Sequence, residues 1–174
     1  MKDPSTPKAL IQSWIDRVVI GENMCPFARD AQTHLIESDV AQLSAHIETA
    51  ITKVTDPDTL VNNALVIITD GLDEFHDFWD VCETLEANLE QADLLAVVQL
   101  AHFHPCYQFE GLEFTDRANW TNRSPYPVLH FLCAQTVENS VHQFRDATSI
   151  PERNIRHLTA LSDLEFQRRF KHQG

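Results

Sequence analysis

Two short apolar runs joined by one amphipathic segment occupy the middle of the chain. Residues 64–69 and 94–101 are continuous apolar segments, typical of strands that are covered on both faces. Between them, residues 73–89 place apolar side chains at spacings of three and four, which predicts a helix. A strand, a helix and a strand in this order favour a right-handed crossover. We therefore expect residues 64–69 and 94–101 to be parallel neighbours in one sheet.

Further helices and strands are predicted on both sides of this unit. Thr6-Pro7 begins a helix that Gly21 ends, and Cys25-Pro26 is expected to open a second, short helix. Later elements are a brief strand at 35–36, a helix from Ser38-Asp39 to about 54, a strand at 128–134, and helices from Thr136 to about Phe144, from Pro151 and from Ser162-Asp163. The chain of 174 residues is expected to form one globular domain, residues 1–174. Its class is α/β or α+β, with a small mixed sheet of about three to five strands in one layer and helices packed on it.

The acidic composition limits the classes of partner. A net charge of -13 argues against nucleic acid and anionic membranes as main partners, because both need a basic surface. An isolated basic pocket could still bind a small anion. No apolar stretch is long enough for a transmembrane helix, and the polar first residues lack the apolar core of a signal peptide, so we expect a cytoplasmic protein.

The number and spacing of the cysteines and glycines limit the disulfides and cofactors that we expect. The four cysteines have no C-x-x-C spacing, and in a reducing compartment structural disulfides are not expected. The four glycines form no phosphate loop or dinucleotide fingerprint, so no nucleotide cofactor is expected. The sequence leaves the oligomeric state open.

The connection from residue 99 to residue 130 is the most unusual part of the chain. It shows neither helical nor alternating periodicity, and connections this long are usually functional or disordered. Its many large aromatic side chains argue against disorder. We expect an ordered loop that packs over one edge of the sheet and carries the function.

Cys25 is the first candidate for chemistry. A thiol at the start of a helix faces the positive end of the helix dipole, which lowers its pKa and favours the thiolate. His104 or His130 would be the base within hydrogen-bond reach of this nucleophile. The alternative is a buried cysteine that packs beside Phe27.

Histidines next to the long loop also permit a metal site. If the strand continues to His104, the spacing of two places His102 and His104 on one face, and His130 on the next strand could face them. Cys25, His104 and His130 could then bind a divalent metal such as Zn or Fe. The alternative is that His104 forms hydrogen bonds inside the loop while His102 is exposed.

Arg123 is the candidate for holding an anion. It is followed closely by two prolines that stiffen the backbone, and its planar guanidinium suits a carboxylate or phosphate. Asn122 would help to hold the same substrate. The side chains expected to line the substrate cavity and exclude water are Phe103, Tyr107 and Tyr126. The alternative is an ion pair between Arg123 and Asp116 that closes the loop.

Several segments together resemble a known family. They are Met24-Cys25-Pro26-Phe27-Ala28, Phe103-His104-Pro105, Tyr107-Gln108-Phe109, Thr121-Asn122-Arg123-Ser124-Pro125-Tyr126-Pro127 and Leu129-His130. In these segments the chain resembles a family of short bacterial proteins known only as a domain of unknown function. The resemblance covers nearly the whole chain and implies five motif positions: Cys25, His104, Asn122, Arg123 and His130. It brings no activity with it.

Three functions remain open at this point. The first is a small cytoplasmic enzyme acting on a small anionic molecule, with Cys25 as nucleophilic or redox thiol, a histidine base and Arg123 as anion holder. The second is a metal-binding protein or metalloenzyme with Cys25, His104 and His130 as ligands. The third is a non-catalytic binding module whose aromatic loop recognises a ligand or a partner.

Overall fold

The chain forms one open four-stranded sheet with helices on both of its faces. The computed structural model describes residues 6–143 and 149–170, with side chains at 140–143 left out. The strands are β1 (Thr33–Asp39), β2 (Asn63–Asp70), β3 (Val98–Phe103) and β4 (Val128–Cys133). The helices are α1 (Pro7–Trp14), α2 (Leu43–Thr55), α3 (Phe75–Gln91), α4 (Ala134–Gln143), α5 (Ile150–Ala160) and α6 (Asp163–Phe170). The expected class, a small mixed sheet in a single layer with helices packed on it, is confirmed.

The strand order is β1-β2-β4-β3, with β1 parallel to β2 and β4 antiparallel to both of its neighbours. The prediction that residues 64–69 and 94–101 are neighbours is therefore wrong. They run in the same direction, but β4 lies between them. Burial explains this order, because Val128, Leu129 and Phe131 of β4 are fully buried whereas most of β3 is partly exposed. The strand that is apolar on both faces takes the central position.

The sheet separates two hydrophobic cores. On one face, α2 and α3 pack against the alternating residues Ala64, Val66 and Ile68 of β2. On the other face, Leu65 and Ile67 meet α1, α5 and α6. Alternation along a strand thus sends neighbouring residues to different cores. For the functional residues this means that two positions close in sequence can lie on opposite sides of the sheet.

The N-terminal helix begins as expected but ends differently. The Thr6 hydroxyl accepts a hydrogen bond from the Ala9 N–H (3.3 Å), and Pro7 is the first helical residue. After α1 the chain continues as a π-helix, Ile15–Ile20, and Gly21 follows it. The helix predicted at Cys25-Pro26 is wrong, because only a three-residue 3₁₀ turn, Ala28–Asp30, forms there. The chain must enter β1 only three residues after that turn, which leaves no room for a longer helix.

Smaller differences occur at other element ends. The strand expected at 94–101 begins at Val98, because the Leu94 carbonyl accepts the N–H groups of Val97 and Val98 in a turn. α4 begins directly after β4, ahead of the expected cap at Thr136, while its predicted end at Phe144 lies outside the described residues. In the described part of the chain, no helix has both the length and the apolar character needed to cross a membrane.

The long connection between β3 and β4 is ordered, as expected. It contains one 3₁₀ segment, Arg117–Thr121, and buries Tyr107, Asn119 and Ser124. The Asn119 amide organises its middle by accepting the Phe109 N–H (2.9 Å) and donating to the Glu113 carbonyl (2.8 Å). Side-chain bonds to backbone groups thus replace the regular hydrogen bonding that the segment lacks.

A pair of glycines tests how tightly the turn after β2 is packed. Gly71 (φ +98°) and Gly111 (φ +77°) both have positive φ. In this conformation a residue with a Cβ destabilises the folded state by about 1 kcal/mol or more. A Cβ at Gly71 would lie only 2.6 Å from Val40 Cγ2, whereas one at Gly111 would meet no atom within 4 Å. We expect Gly71→Ala to lower the free energy of unfolding in urea clearly more than Gly111→Ala. Equal losses would contradict the close approach of Val40.

Candidate functional site

The Arg123 side chain contacts several separate parts of the long loop. Its Nε donates to the Tyr107 carbonyl (3.1 Å) and its Nη2 to the Phe114 carbonyl (2.7 Å). Its guanidinium carbon lies 4.3 Å from the ring centre of Phe114 and 5.1 Å from that of Trp120. The residue is 7% exposed, and burial lowers the pKa of its guanidinium, which nevertheless stays charged at neutral pH. Arg123 thus joins distant parts of the loop through one cation.

The ion pair between Arg123 and Asp116 considered above is not formed. The Asp116 carboxylate instead accepts the Ala118 N–H (2.8 Å) and caps the 3₁₀ segment. Within the described residues, the remaining terminal nitrogen of Arg123, Nη1, makes no hydrogen bond. One donor group of this cation therefore has no hydrogen-bond partner in the described part of the protein.

Arg123 lines a cavity between the long loop and α6, which we name the arginine cavity. Its volume is about 540 Å³, within the range of small-molecule sites. Its lining residues are Phe114, Thr115, Arg117, Trp120, Arg123, Asp163, Phe166 and Gln167. Aromatic rings form much of the wall, and polar groups enter from the loop and from α6.

Arg117 holds the loop against the C-terminal helices. Its guanidinium donates to the carbonyls of Leu158 (3.2 Å) and Leu161 and pairs with the Asp163 carboxylate. It also lies 4.7 Å from the ring centre of Phe166. Two arginines and one aspartate give the cavity lining a net charge of +1, while the whole chain carries -13. The arginine cavity is thus a locally cationic site on an acidic protein.

His104 has a structural role at the start of the loop. It is fully buried; its Nδ1 accepts the Cys106 N–H (3.0 Å) and its Nε2 donates to the Leu72 carbonyl (3.1 Å). Both ring nitrogens are therefore occupied, and burial lowers the pKa of the imidazole. This matches the alternative in which His104 forms hydrogen bonds within the loop. His102 is not exposed as that alternative assumed, because its ring packs 5.2 Å from Trp79 and 5.7 Å from Tyr107.

His130 lies on the other face of the sheet. It pairs with Leu65 of β2 and Ala101 of β3, and its Nε2 approaches the Asn63 side-chain oxygen (3.3 Å). Burial lowers the pKa of His130 to about 4, so the ring is neutral at pH 7. His104 instead packs on Phe78 of α3. The two imidazoles expected to act together thus belong to opposite cores.

The metal site predicted from Cys25, His104 and His130 is not assembled. The two histidines are separated by the sheet, and the nitrogens of His104 already hold backbone groups. Among the described residues, no group of three or more His, Cys, Asp or Glu side chains is placed to hold a metal ion.

Cys25 lies in the turn after the π-helix and is half-buried. Burial raises the pKa of its thiol, while the N–H groups of Phe27 and Ala28 and the charge of Arg153 act in the opposite direction. The expected lowering of the pKa is therefore wrong, because no α-helix begins at Cys25 to supply a full dipole. Within the described residues, no hydrogen bond links this thiol to His104 or His130.

The other expected substrate-binding residues hold the loop together. The Asn122 amide donates to the His102 carbonyl (3.2 Å), and the Asn122 carbonyl accepts the His104 N–H (3.1 Å). The Tyr107 ring is buried, which raises its pKa to about 12, and the Tyr126 carbonyl accepts the Ser124 hydroxyl (2.5 Å). None of these side chains lines the arginine cavity.

Most of the cavity was missed by the sequence reasoning. Arg117, Phe166 and Gln167 come from the loop and from α6, which meet only in three dimensions. One local signal was present: Arg117 and Trp120 are three residues apart, which places them on one side of a 3₁₀ turn.

Comparison with known proteins gives a family without an assigned activity. No curated protein and no solved structure matches the chain. One family model, described as a protein of unknown function (DUF1415), matches residues 6–168. Since this match covers nearly all of the sequence, the chain belongs to the DUF1415 family.

Proposed function

We propose that the protein binds a small organic anion in the arginine cavity. The single observation that carries this proposal is the state of Arg123, a buried cation that lines the cavity and whose nitrogen Nη1 has no hydrogen bond among the described residues. Within the described residues, no carboxylate pairs with Arg123. A buried charge without a counter-ion is costly, and an incoming anion would reduce that cost.

The lining of the cavity favours a planar aromatic carboxylate over a bare phosphate. The rings of Phe114, Trp120 and Phe166 offer apolar walls, and Phe114 is 49% exposed. A guanidinium held in place by two other hydrogen bonds can present its remaining N–H groups to a carboxylate with little loss of entropy. The ligand would thus combine one carboxylate with one ring.

This proposal keeps part of the function expected from the sequence. The small anionic ligand and the role of Arg123 remain. Asn122 instead donates to the His102 carbonyl of β3, and Tyr107 and Tyr126 accept hydrogen bonds through their backbone carbonyls. Cys25 is not among the lining residues. Binding is therefore the proposed function of this cavity, and the chemistry of Cys25 is a separate question.

Benzoate is a suitable probe for the arginine cavity, with neutral benzamide as its matched control. We expect saturable benzoate binding, seen by calorimetry and as a change in tryptophan fluorescence because Trp120 lines the cavity. Benzamide should bind at least about tenfold more weakly, since it cannot form a charge-assisted pair with Arg123.

A variant that adds a negative charge to the cavity lining tests whether benzoate binds there. Gln167→Glu places a carboxylate at the cavity without changing the bonds of Arg123, and should weaken benzoate binding about tenfold or more. Gln91→Glu adds the same charge at the exposed end of α3 and should have little effect. Equal binding of benzoate and benzamide, or equal effects of the two variants, would contradict the proposal.

A thiol function of Cys25 is our second proposal. It is supported by the position of the sulfur, which is half-buried and close to two backbone N–H groups and to Arg153. α5 fixes this turn, because Asn154 donates to the Met24 carbonyl (2.7 Å) and Arg153 donates to the Asn23 carbonyl (2.5 Å).

We also propose a cytoplasmic location, in keeping with four cysteines that are all free thiols.

Alkylation by iodoacetamide tests the state of Cys25. We expect Cys25 to react faster at neutral pH than Cys82, whose pKa is raised to about 12 by burial and by Glu86 and Glu83. Arg153→Gln should move the pH midpoint of Cys25 alkylation upward, because the charge of Arg153 lowers that pKa. Arg156→Gln, an exposed change on the same helix, should leave it in place. Cys25 as unreactive as Cys82, or an unmoved midpoint in Arg153→Gln, would count against a thiol function.

A further inference from the structure

β3 is an edge strand whose outer side is not paired with another strand. It comes last in the order β1-β2-β4-β3. In an antiparallel pair, alternate residues direct their backbone groups toward the partner. The bond from the Ala134 N–H to the Val97 carbonyl (2.9 Å), next to the pair Val98 and Cys133, sets this alternation. Leu100 therefore directs both its N–H and its C=O away from β4.

At both ends of this outer edge the backbone groups are hydrogen-bonded within the chain, but in the middle they are not. At one end the Val98 N–H donates to the Leu94 carbonyl (2.8 Å), and at the other the His102 carbonyl accepts the Asn122 amide (3.2 Å). Within the described residues, no turn, loop or side-chain hydrogen bond reaches Leu100. The open stretch can therefore pair with a short extended segment centred opposite Leu100.

A groove runs beside this open edge, and we name it the edge groove. Its volume is about 580 Å³, and it is lined by Glu83, Glu86, Ala87, Glu90, Leu95, Val98, Gln99 and Leu100. One wall is the acidic side of α3, and the other is apolar apart from Gln99. Leu95 is 48% exposed and the adjoining Val97 is 45% exposed, so apolar surface extends beyond the groove itself.

We propose that the edge groove binds an extended basic segment of a partner protein, which adds to β3 as a further strand. Main-chain hydrogen bonds to Leu100 would give affinity, and alternate side chains would give specificity. Lysine or arginine side chains of the segment would face the glutamates of α3, and the apolar residues between them would pack on Leu95 and Leu100.

Charge excludes a second copy of this chain as the favoured occupant. Two copies paired through β3 would each bring Glu83, Glu86 and Glu90 to the same interface, and the chain as a whole carries -13. Like charges placed opposite each other destabilise strand pairing. A basic segment would have the opposite effect, because its lysine or arginine side chains would attract these carboxylates. The arginine cavity plays no part in this inference, so the two stand or fall separately.

A short synthetic peptide provides the probe. A blocked heptapeptide of alternating lysine and valine, labelled with a fluorophore, is titrated with the full chain at low salt and followed by anisotropy. We expect saturable binding that weakens with added salt. The same peptide with glutamate in place of lysine should not bind. A lysine–valine peptide in which alternate backbone amides are N-methylated cannot form the strand hydrogen bonds, and it should bind at least about tenfold more weakly than the unmethylated peptide.

Two triple variants separate a local site from general charge attraction. Glu83→Gln/Glu86→Gln/Glu90→Gln should weaken binding at least about tenfold. Glu48→Gln/Glu110→Gln/Glu152→Gln removes the same charge from exposed positions elsewhere and should change binding far less. All six glutamates are exposed, so both variants should fold, which circular dichroism checks.

Three results would overturn the proposal. Equal weakening in the two triple variants would mean non-specific attraction, and equal binding of the N-methylated peptide would exclude strand addition. Self-association of the full chain in sedimentation, abolished by Leu100→Pro, would make a second copy the occupant of the edge.

Discussion

The burial of the Arg123 guanidinium is the interaction on which the long loop depends. A cation 7% exposed must replace the hydration it loses, and it does so with two backbone carbonyls and two aromatic rings. These contacts fix residues that lie far apart along the loop. The cavity beside Arg123 lies between this loop and α6, and Arg117 ties the loop to the carbonyls of Leu158 and Leu161 at the end of α5.

The sheet then decides which residues can act together. His104 packs on Phe78 of α3, whereas His130 lies on the opposite face of the sheet, the face that α1 covers. Cys25 lies beside α5, whose Arg153 and Asn154 hold the turn that precedes the thiol. Cys25, His104 and His130 therefore lie in separate parts of the fold, and no hydrogen bond among the described residues joins them into one cluster.

The features of the fold that could be predicted from the sequence are those that depend on nearby residues. Thr6-Pro7 capping, the helix around Phe78 and the buried strand at 64–69 follow from periodicity and backbone chemistry, and all three occur. Strand adjacency was mispredicted, because the position of β4 depends on how deeply Val128, Leu129 and Phe131 can be buried, which is a property of the whole sheet. Arg123 was identified because its motif is local, whereas the contribution of Phe166 depends on a contact between the loop and the distant α6.

The central claim is that the Arg123 side chain both holds the loop and binds the anion, and its Nε–H signal in a nitrogen-15 NMR spectrum tests this most directly. The signal is assigned as the one lost in Arg123→Lys. We predict slow exchange with water, because this N–H donates to the Tyr107 carbonyl, and a shift on addition of benzoate. Exchange as fast as that of the exposed Arg29, with no response to benzoate, would contradict the account.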